Sequence, residues 1–262
     1  MKFGEWWIDF FGWFYDLADD SDEGFDVSKG MNREQRTDRE IEIILKYLSL
    51  TPKAKILDCP CGGGRHSVEL AKKGFDVVGI DLNDYMLSRA NENMKLANVV
   101  SNLSFSKMDM RNLEFKNASF DSIINMYLSF GFFDDENNEK VVKEFYRLLK
   151  QGGKLLVHLD LNYDRVINKS YFKTDQNLSR NCKSRILEQR ESYDEKSKRL
   201  LGEWKLINSK TVIKNYSLRI YDNDTEFIPL FKNNGFSSVT LFDPDNDQHT
   251  IDSKETILVA IK

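Results

Sequence analysis

The feature that most constrains the fold is a regular alternation, between residues 54 and 160, of apolar segments of strand length with amphipathic segments of helix length. Strands that alternate with helices at this spacing favour a parallel sheet with helices on both faces. The segment at 120–126 is apolar on both sides of its alternation, as a central strand of such a sheet should be. We predict strands at 54–58, 76–81, 103–107, 120–126 and 154–160, and helices at 65–73, 84–97 and 137–150.

The pattern changes after residue 160. Residues 163–180 are polar and irregular, and three segments joined by short polar turns follow them, which we expect to be antiparallel strands. A helix at 223–234 then precedes two closing strands at 236–242 and 255–261. The chain is therefore predicted to be one α/β domain that carries a small β insertion. The three antiparallel strands are predicted at 184–193, 199–208 and 211–221.

The N-terminal segment at 5–17 has its apolar side chains at helical spacing, which predicts an amphipathic helix with a wide apolar face. Four roles are open for it: part of the core, a dimer contact, a membrane-surface helix, or a lid or pocket wall. Carboxylates within it disfavour an anionic membrane, where basic residues would be expected. An acidic stretch at 19–24 is predicted to be a mobile connector, and a second helix is expected to begin at Thr37 and end before Pro52.

The charge balance argues against two classes of partner. With 38 Lys plus Arg against 42 Asp plus Glu, the net charge is −4. The chain therefore lacks the excess positive charge that is typical of proteins that bind nucleic acid or an anionic membrane. No apolar run approaches the roughly 18 residues of a membrane span. Of three cysteines, Cys59 and Cys61 are too close in sequence for an ordinary structural disulfide. These observations predict a cytoplasmic protein with neither a nucleic-acid nor a membrane partner.

A Gly-rich turn follows the first predicted strand, in the string Ile-Leu-Asp-Cys-Pro-Cys-Gly-Gly-Gly-Arg-His over residues 56–66. Gly62 and Gly64 lack a Cβ, so the backbone there can approach a ligand closely and adopt otherwise strained dihedral angles. In an open α/β sheet such a turn lies at the carboxyl ends of the strands, where ligands bind. The second strand ends at Asp81, whose carboxylate can accept both hydroxyl protons of a ribose.

Two classes of cofactor use this arrangement. Gly62, Gly64 and Ser67 match a dinucleotide fingerprint only in part, because Ser67 stands where the third glycine would be. Asp58, just before the turn, would repel a pyrophosphate and suits a cationic amino group better. Asp58, the turn and Asp81 in this order therefore favour a cofactor with an amino group over a nicotinamide dinucleotide.

Over nearly its whole length the sequence resembles the class I S-adenosylmethionine-dependent methyltransferases. The resemblance implies a Rossmann-like, doubly wound α/β sheet of seven strands in the order 3-2-1-4-5-7-6, with the last strand antiparallel. It also implies that Asp58 lies near the methionine amino group, that Asp81 binds the ribose, and that Asp109 faces the adenine amine. The cofactor-binding residues that it implies are Asp58, Cys61, Gly62, Gly64, Asp81, Leu82, Met86, Asp109, Met110, Asn125 and Met126.

Other strings carry the same resemblance. Residues 108–111 are similar to the family's adenine-binding motif, 120–125 to its fourth motif, and 149–155 to the turn before its fifth strand. One departure is Pro60, where most members have a glycine. Proline fixes φ and removes a donor, so its nitrogen cannot hold the ligand. The strings typical of a bacterial and archaeal small-molecule subgroup are 61–67, 128–133 and 192–194.

The resemblance implies an enzyme that transfers a methyl group from S-adenosyl-L-methionine to nitrogen, oxygen or carbon of a small molecule, mainly by proximity and orientation. In resembling enzymes the N-terminal segment crosses the cofactor cleft, so residues 1–50 are expected to form a helical lid and docking helix. They would lie on a domain at 51–262 whose β insertion, at 163–221, narrows the cleft. We expect a monomer or homodimer. Two other functions stay open: a non-catalytic module that binds S-adenosylmethionine or S-adenosylhomocysteine, and, less favoured, a nicotinamide-dependent oxidoreductase.

Few side chains are candidates for a general base. His158 lies within a strand, where a core histidine is the ordinary explanation. No metal is expected, because the fourth strand ends at Asn125 rather than at a carboxylate. An aromatic-lined pocket is predicted from Tyr15, Tyr127, Phe130 and Phe133. The catalytic candidates are Tyr15, Tyr127 and His158.

Overall fold

The computed structural model of the chain describes residues 5–18, 31–171, 178–182, 185–207 and 210–262. The connector predicted at 19–24 lies outside the described residues. The strands are β1 (Lys55–Asp58), β2 (Asp76–Asp81), β3 (Leu103–Lys107), β4 (Phe120–Asn125), β5 (Leu149–Leu159), β6 (Leu178–Cys182), β7 (Arg185–Asp194), β8 (Arg199–Ile207), β9 (Thr211–Arg219), β10 (Ser238–Asp243), β11 (Asp247–Gln248) and β12 (Thr256–Ile261). The helices are α1 (Trp6–Phe10), α2 (Trp13–Ala18), α3 (Arg33–Leu48), α4 (Arg65–Lys72), α5 (Asp84–Leu96), α6 (Asp135–Leu148), α7 (Tyr163–Ile167) and α8 (Ile228–Asn233), with a π-helical turn at Asn223–Phe227.

The central sheet has the strand order β11-β10-β12-β5-β4-β1-β2-β3. Strands β1 to β5 run parallel, and β12 pairs antiparallel with both β5 and β10. The predicted order 3-2-1-4-5-7-6 is confirmed, with β10 and β12 as the sixth and seventh strands. The predicted count of seven strands is wrong by one. The chain turns back after β10, and the pairing of Asp243 with Asp247 adds the short edge strand β11.

A second sheet, with four antiparallel strands in the order β6-β7-β8-β9, lies between β5 and β10 in sequence. Strands β7, β8 and β9 lie where the sequence predicts three antiparallel strands. The prediction of irregular structure at 163–180 is wrong, because this stretch holds α7 and the beginning of β6. Strand β6 has no clear apolar alternation. Its pairing with β7, from Leu178 opposite Gln189 to Cys182 opposite Arg185, defines it instead.

The N-terminal segment forms two short helices rather than the single helix that its spacing predicts. Helix α1 ends at Phe10, where Asn83 Nδ2 donates hydrogen bonds to the carbonyl oxygens of Ile8 (3.0 Å) and Phe11 (2.5 Å). A continuous helix would use these carbonyls in its next turn, so the tertiary contact favours the break. Gly12 lies against the same side chain, since a Cβ there would come within 2.9 Å of Asn83 Nδ2.

Helix α3 begins at Arg33, four residues before the predicted start at Thr37. Asn32 Oδ1 accepts a hydrogen bond from the Gln35 amide (2.9 Å), and Gln35 Oε1 accepts one from the Asn32 amide (3.0 Å). This capping box satisfies two amides that the first helical turn leaves unpaired. The spacing of apolar residues does not reveal the true start of the helix, because the first turn of α3 is polar.

Apolar side chains fill both faces of the central sheet. One cluster joins the sheet to α6 and α8, and a second joins it to α3 and α4. A third lies between the N-terminal helices and the second sheet, and its buried members are Phe10, Phe14, Trp204 and Leu206. Among the described residues, no helix combines the length and apolar character that a membrane span requires.

Candidate cofactor and acceptor site

The Gly-rich turn between β1 and α4 is held against the end of β2. The Cys61 amide donates to the Ile80 carbonyl (2.8 Å), and the Gly62 amide donates to Asp81 Oδ2 (2.9 Å). Gly62 has a φ of +52°, and apart from its chain neighbours no heavy atom of the described residues lies within 4 Å of where its Cβ would stand. Gly62 therefore lines open space, as a cofactor-binding turn requires. Gly64 differs, because a Cβ there would come within 2.7 Å of the Phe105 ring.

Asp58, at the end of β1, is completely buried. Ser67 Oγ donates to its Oδ2 (2.6 Å), while its Oδ1 has no hydrogen-bond partner in the described chain. Burial raises the pKa of Asp58 to about 7, against the opposing effects of the Ser67 hydrogen bond and the Arg65 charge. A buried acceptor without a donor is costly, so this oxygen suits a ligand that brings a donor.

Asn125, at the end of β4, presents a similar acceptor. Its Nδ2 donates to the Cys59 carbonyl (2.8 Å), while its Oδ1 has no hydrogen-bond partner among the described residues. The Asn125 side chain is buried, as is that of Asp58. The ends of the adjacent strands β1 and β4 therefore each carry a buried oxygen with unused accepting capacity.

Asp81, at the end of β2, uses both carboxylate oxygens within the protein. Oδ2 accepts from the Gly62 amide, and Oδ1 accepts from the Asn83 amide (2.9 Å). Burial raises the pKa of Asp81, although these backbone hydrogen bonds oppose the shift. Each oxygen can accept a second hydrogen bond, so the carboxylate is fixed in place and can still bind two hydroxyls.

Asp109, just after β3, forms an ion pair with Arg111. Arg111 Nε lies 3.0 Å from Asp109 Oδ1, and Nη2 lies 2.5 Å from Oδ2. Partial burial raises the pKa of Asp109, but the contacts with Arg111 outweigh it and the net shift is downward. The guanidinium lies 4.4 Å from the ring centroid of Phe133. Asp109 therefore stays charged and oriented at the wall of the cavity.

One cavity opens between the Gly-rich turn, the ends of β2 and β4, and the N-terminal helices. Asp58, Gly64 and Asn125 do not line it. Both Tyr15 and Tyr127 do, but His158 does not. The predicted cofactor-binding residues that it brings together are Cys61, Gly62, Asp81, Leu82, Met86, Asp109, Met110 and Met126.

The three catalytic candidates have different surroundings. The Tyr127 hydroxyl accepts a hydrogen bond from Arg36 Nη1 (3.0 Å), and the Arg36 guanidinium lies 4.6 Å from the Tyr127 ring centroid. Tyr15 stacks on Trp204 of β8, with 5.9 Å between the ring centroids. His158 is buried, with Nε2 3.1 Å from Glu255 Oε2. The structure therefore brings the two tyrosines to the cavity and leaves His158 outside it.

Aromatic side chains from two segments form much of the cavity wall. Phe11 stacks on Phe132 (5.2 Å between centroids), and Trp7 meets Phe133 edge to face (4.8 Å). The prediction that Phe130 lines the pocket is wrong, because this side chain packs in the core. Its neighbours there are Tyr221, Phe227 and Phe231.

Sequence reasoning missed Phe132 and Arg65, which both line the cavity. The sequence feature that could have identified Phe132 as a cavity residue is Gly131. Its φ of +98° turns the chain between Phe130 and Phe132. A Cβ at Gly131 would also collide with the Arg219 carbonyl. The signal for Arg65 is its place as the first helical residue after the Gly-rich turn.

The N-terminal helices connect the cavity to the second sheet. Phe10 lies edge to face with Trp204 (5.0 Å between centroids), and Asp9 Oδ2 lies 2.7 Å from Lys214 Nζ of β9. On the opposite side, Asn83 holds the carbonyls of Ile8 and Phe11. The segment therefore covers the cavity with contacts on both sides.

Two other groups of side chains could suggest chemistry of their own: a cluster of possible metal ligands and a pair of cysteines. His158, Asp160 and Glu255 each place a possible ligand atom within 4.8 Å of the others, but Arg39 Nη1 lies 3.0 Å from Glu255 Oε2. This ion pair already compensates the glutamate charge. Burial raises the pKa values of the Cys59 and Cys61 thiols, so both stay protonated at neutral pH.

Comparisons with known proteins agree with this arrangement. Residues 56–153 match the family model of the methyltransferase domain. The putative methyltransferase YqeM of Bacillus subtilis (strain 168) is 34% identical over 135 residues, which are 50% of this chain and 53% of YqeM. A glycine/sarcosine N-methyltransferase of Aphanothece halophytica is 30% identical over 144 residues, 54% of this chain and 53% of that protein. The chain thus spans about half the length of these relatives.

The fold comparison covers more of the chain. The crystal structure of an S-adenosylmethionine-dependent methyltransferase from Clostridium acetobutylicum ATCC 824 matches with a TM-score of 0.73. The match covers 95% of this chain and 97% of that one, at 16% sequence identity, and therefore compares the fold. The fold is that of a Rossmann-like methyltransferase. The chain therefore combines a methyltransferase domain at residues 56–153 with the fold of the S-adenosylmethionine-dependent methyltransferases.

Proposed function

We propose that this protein transfers a methyl group from S-adenosyl-L-methionine to a small-molecule acceptor. The observation that carries the proposal is the unpartnered Oδ1 of the buried Asp58, next to a Gly-rich turn that Asp81 holds open to a cavity. A nicotinamide dinucleotide would bring a pyrophosphate to this turn and leave the Asp58 oxygen without a donor. An ammonium group supplies both the donor and the compensating charge.

The other residues of the site fit the rest of the cofactor. We assign the ribose hydroxyls to Asp81, whose position is fixed by two backbone amides. Asp109 and Met110 then take the adenine, the first through its charged carboxylate and the second through apolar contact. Open space beside Gly62 admits the methionine chain close to the backbone. Asn125 and Asp58 both lie just behind the cavity wall, because neither side chain lines the cavity.

We attribute catalysis mainly to the position in which the protein holds the acceptor relative to the cofactor. The sulfonium methyl of bound S-adenosylmethionine is already activated, so the cofactor supplies the difficult chemistry. The protein's part is to hold the acceptor in line with that methyl, which can lower the barrier by about 7–11 kcal/mol. Four aromatic side chains line the cavity and exclude water from its wall: Trp7, Phe11, Phe132 and Phe133. Tyr15 and Tyr127 are the side chains that can orient an acceptor or take its proton.

A small acceptor suits the covered cavity. The N-terminal helices lie across it, with contacts to Asn83 on one side and Lys214 on the other, which favours a small acceptor over a duplex. The glycine/sarcosine relative carries a small-molecule acceptor in its name. Nitrogen, oxygen and carbon all remain chemically possible as the accepting atom. A cytoplasmic location and a monomeric or homodimeric state remain predictions from the sequence.

Calorimetry with S-adenosylhomocysteine and NADH, in parallel, tests the proposal. We expect S-adenosylhomocysteine to bind with micromolar affinity and NADH to bind far more weakly. Mass spectrometry of the purified protein should also detect S-adenosylmethionine or S-adenosylhomocysteine as a bound ligand. Tighter binding of NADH would overturn the cofactor assignment. Binding of S-adenosylhomocysteine without turnover on any small-molecule acceptor would favour a non-catalytic module.

A further inference from the structure

Arg65 has hydrogen-bonding capacity that the protein does not use. Its Nη1 contacts Glu40 Oε2 and donates to Thr37 Oγ1 (3.0 Å). Within the described parts of the chain, neither Nε nor Nη2 of Arg65 has a hydrogen-bond acceptor. The side chain lines the cavity and is 22% exposed. One edge of a planar, permanently charged guanidinium is therefore available next to the cavity.

The surroundings of Arg65 specify the charge of its ligand. Arg33 and Arg89 also line this cavity, so three arginine side chains contribute to its wall. The Arg65 guanidinium lies 5.5 Å from the Tyr127 ring centroid, and its charge lowers the pKa of the neighbouring Asp58. Glu40, which neutralises Arg65, is itself buried and shared with His66. The unused edge of Arg65 therefore favours an anion, and its two parallel donors match a carboxylate.

We propose that Arg65 and the adjoining cavity wall form a carboxylate-binding subsite, with the Nε–Nη2 edge as the donor pair. This inference rests on the proposed function. The α-carboxylate of S-adenosylmethionine is one source, because an amino acid carries its ammonium and carboxylate on the same carbon. Asp58 and Arg65 would bind these two groups side by side. The other source is a carboxylate on the methyl acceptor itself. Both present the same chemistry to Arg65.

The test compares two ligands that differ in the amino-acid part. S-adenosylhomocysteine carries the carboxylate, whereas 5′-methylthioadenosine keeps the nucleoside and sulfur without it. If Arg65 binds the cofactor's carboxylate, Arg65→Met should weaken S-adenosylhomocysteine by about tenfold to a hundredfold in calorimetry. The affinity for 5′-methylthioadenosine should stay within twofold.

Two further variants separate recognition from stability. Arg65→Met leaves Glu40 without its charge partner, so the double variant Glu40→Gln/Arg65→Met restores the balance and should show the same loss. Glu40→Gln alone should bind S-adenosylhomocysteine normally. Arg89→Met is the matched control, because Arg89 lines the same cavity but pairs with Glu92 on α5.

A second set of titrations tests whether the carboxylate that Arg65 binds belongs to the methyl acceptor. Glycine and benzoate are titrated into the S-adenosylhomocysteine complex of each variant. Loss of carboxylate binding in Arg65→Met, with S-adenosylhomocysteine affinity unchanged, supports the subsite and assigns it to the acceptor. Equal weakening of S-adenosylhomocysteine and 5′-methylthioadenosine, or no change in any titration, overturns the subsite. A wild-type protein that binds neither nucleoside overturns the proposed function itself.

Discussion

At the scale of single residues, Asp81 joins the Gly-rich turn to the predicted ribose site. It accepts hydrogen bonds from the Gly62 and Asn83 amides, so its loss removes a ligand contact and loosens the turn. We expect Asp81→Ala to weaken S-adenosylhomocysteine by about tenfold to a hundredfold, since a charge-assisted hydrogen bond contributes roughly 1.5–3 kcal/mol. Calorimetric titration measures this change.

The control for this prediction is Asp84→Ala. Asp84 lies three residues further on and pairs with Lys107 at the surface. It carries the same charge but does not line the cavity, so its removal should leave the affinity within twofold. Equal affinities of wild type and Asp81→Ala would show that Asp81 shapes the turn without binding the ribose.

Asp58 links ligand binding to stability. Its pKa is raised from 3.8 to about 7 by burial, so the folded state holds its proton more tightly than the unfolded state. The resulting stabilisation is fully present below about pH 4 and is lost as the pH rises through about 7. Asp58→Asn cannot ionise. Without ligand, it should melt roughly 2–8 °C above wild type at pH 8, and about equally at pH 4.

The same Asp58→Asn variant should bind S-adenosylhomocysteine at least tenfold more weakly at pH 8, because the ammonium loses its opposite charge. Differential scanning fluorimetry with and without ligand, at both pH values, measures both effects. Ser67→Ala is the control, since it removes the hydrogen bond to Asp58 but keeps the carboxylate. A variant that is stabilised and still binds normally would remove Asp58 from the cofactor site.

At the scale of helices and strands, patterns within single segments predicted the sheet well. Strands β2 and β3 have the predicted bounds, because the apolar residues of each form a short segment that polar turn residues bound on both sides. Contacts between distant segments were harder to predict. The break between α1 and α2 depends on Asn83, more than seventy residues away, and β6 depends on its pairing with β7. Neither contact leaves a periodic signal in its own segment.

Asn83 also provides a test of the lid. It caps α5 by accepting from the Met86 amide (3.2 Å), and its Nδ2 holds the carbonyls of Ile8 and Phe11. Asn83→Ser keeps a good capping residue but loses the two bonds to the N-terminal segment. We expect faster amide hydrogen exchange across residues 5–18, unchanged protection of α5, and about threefold to thirtyfold weaker S-adenosylhomocysteine binding.

Asn32→Ser is the matched control, because Asn32 caps α3 in the same way and holds no other segment in the described chain. It should leave exchange across residues 5–18 unchanged. If exchange in α5 accelerates along with the lid in Asn83→Ser, the cap and not the lid contact explains the result. If exchange across residues 5–18 stays slow, the aromatic contacts with Trp204 and Phe132 hold the segment without Asn83.

At the scale of the whole molecule, the sequence predicted the cavity residues near the strand ends better than the aromatic residues of the cavity wall. Strands β1, β2 and β3 are adjacent and parallel, so their carboxyl ends meet at the same edge of the sheet. The sequence could therefore predict that the residues after these strands lie close together. The aromatic part of the cavity wall combines the N-terminal helices with the segment after β4. Which face of that segment meets the cavity depends on the left-handed turn at Gly131, and the aromatic pattern alone selected Phe130 in place of Phe132.

The covered cavity and the slightly negative net charge together predict which molecules accept the methyl group. A net charge of −4 provides little attraction for phosphate backbones, and the N-terminal helices cover the cavity wall at Trp7 and Phe11. With S-adenosylmethionine labelled in its methyl group, we expect label to enter the low-mass fraction of a cell extract, and not purified tRNA or protein. Asp58→Asn should abolish most of this transfer while remaining folded. Label found in tRNA or protein, with none in small molecules, would contradict the proposed small-molecule acceptor.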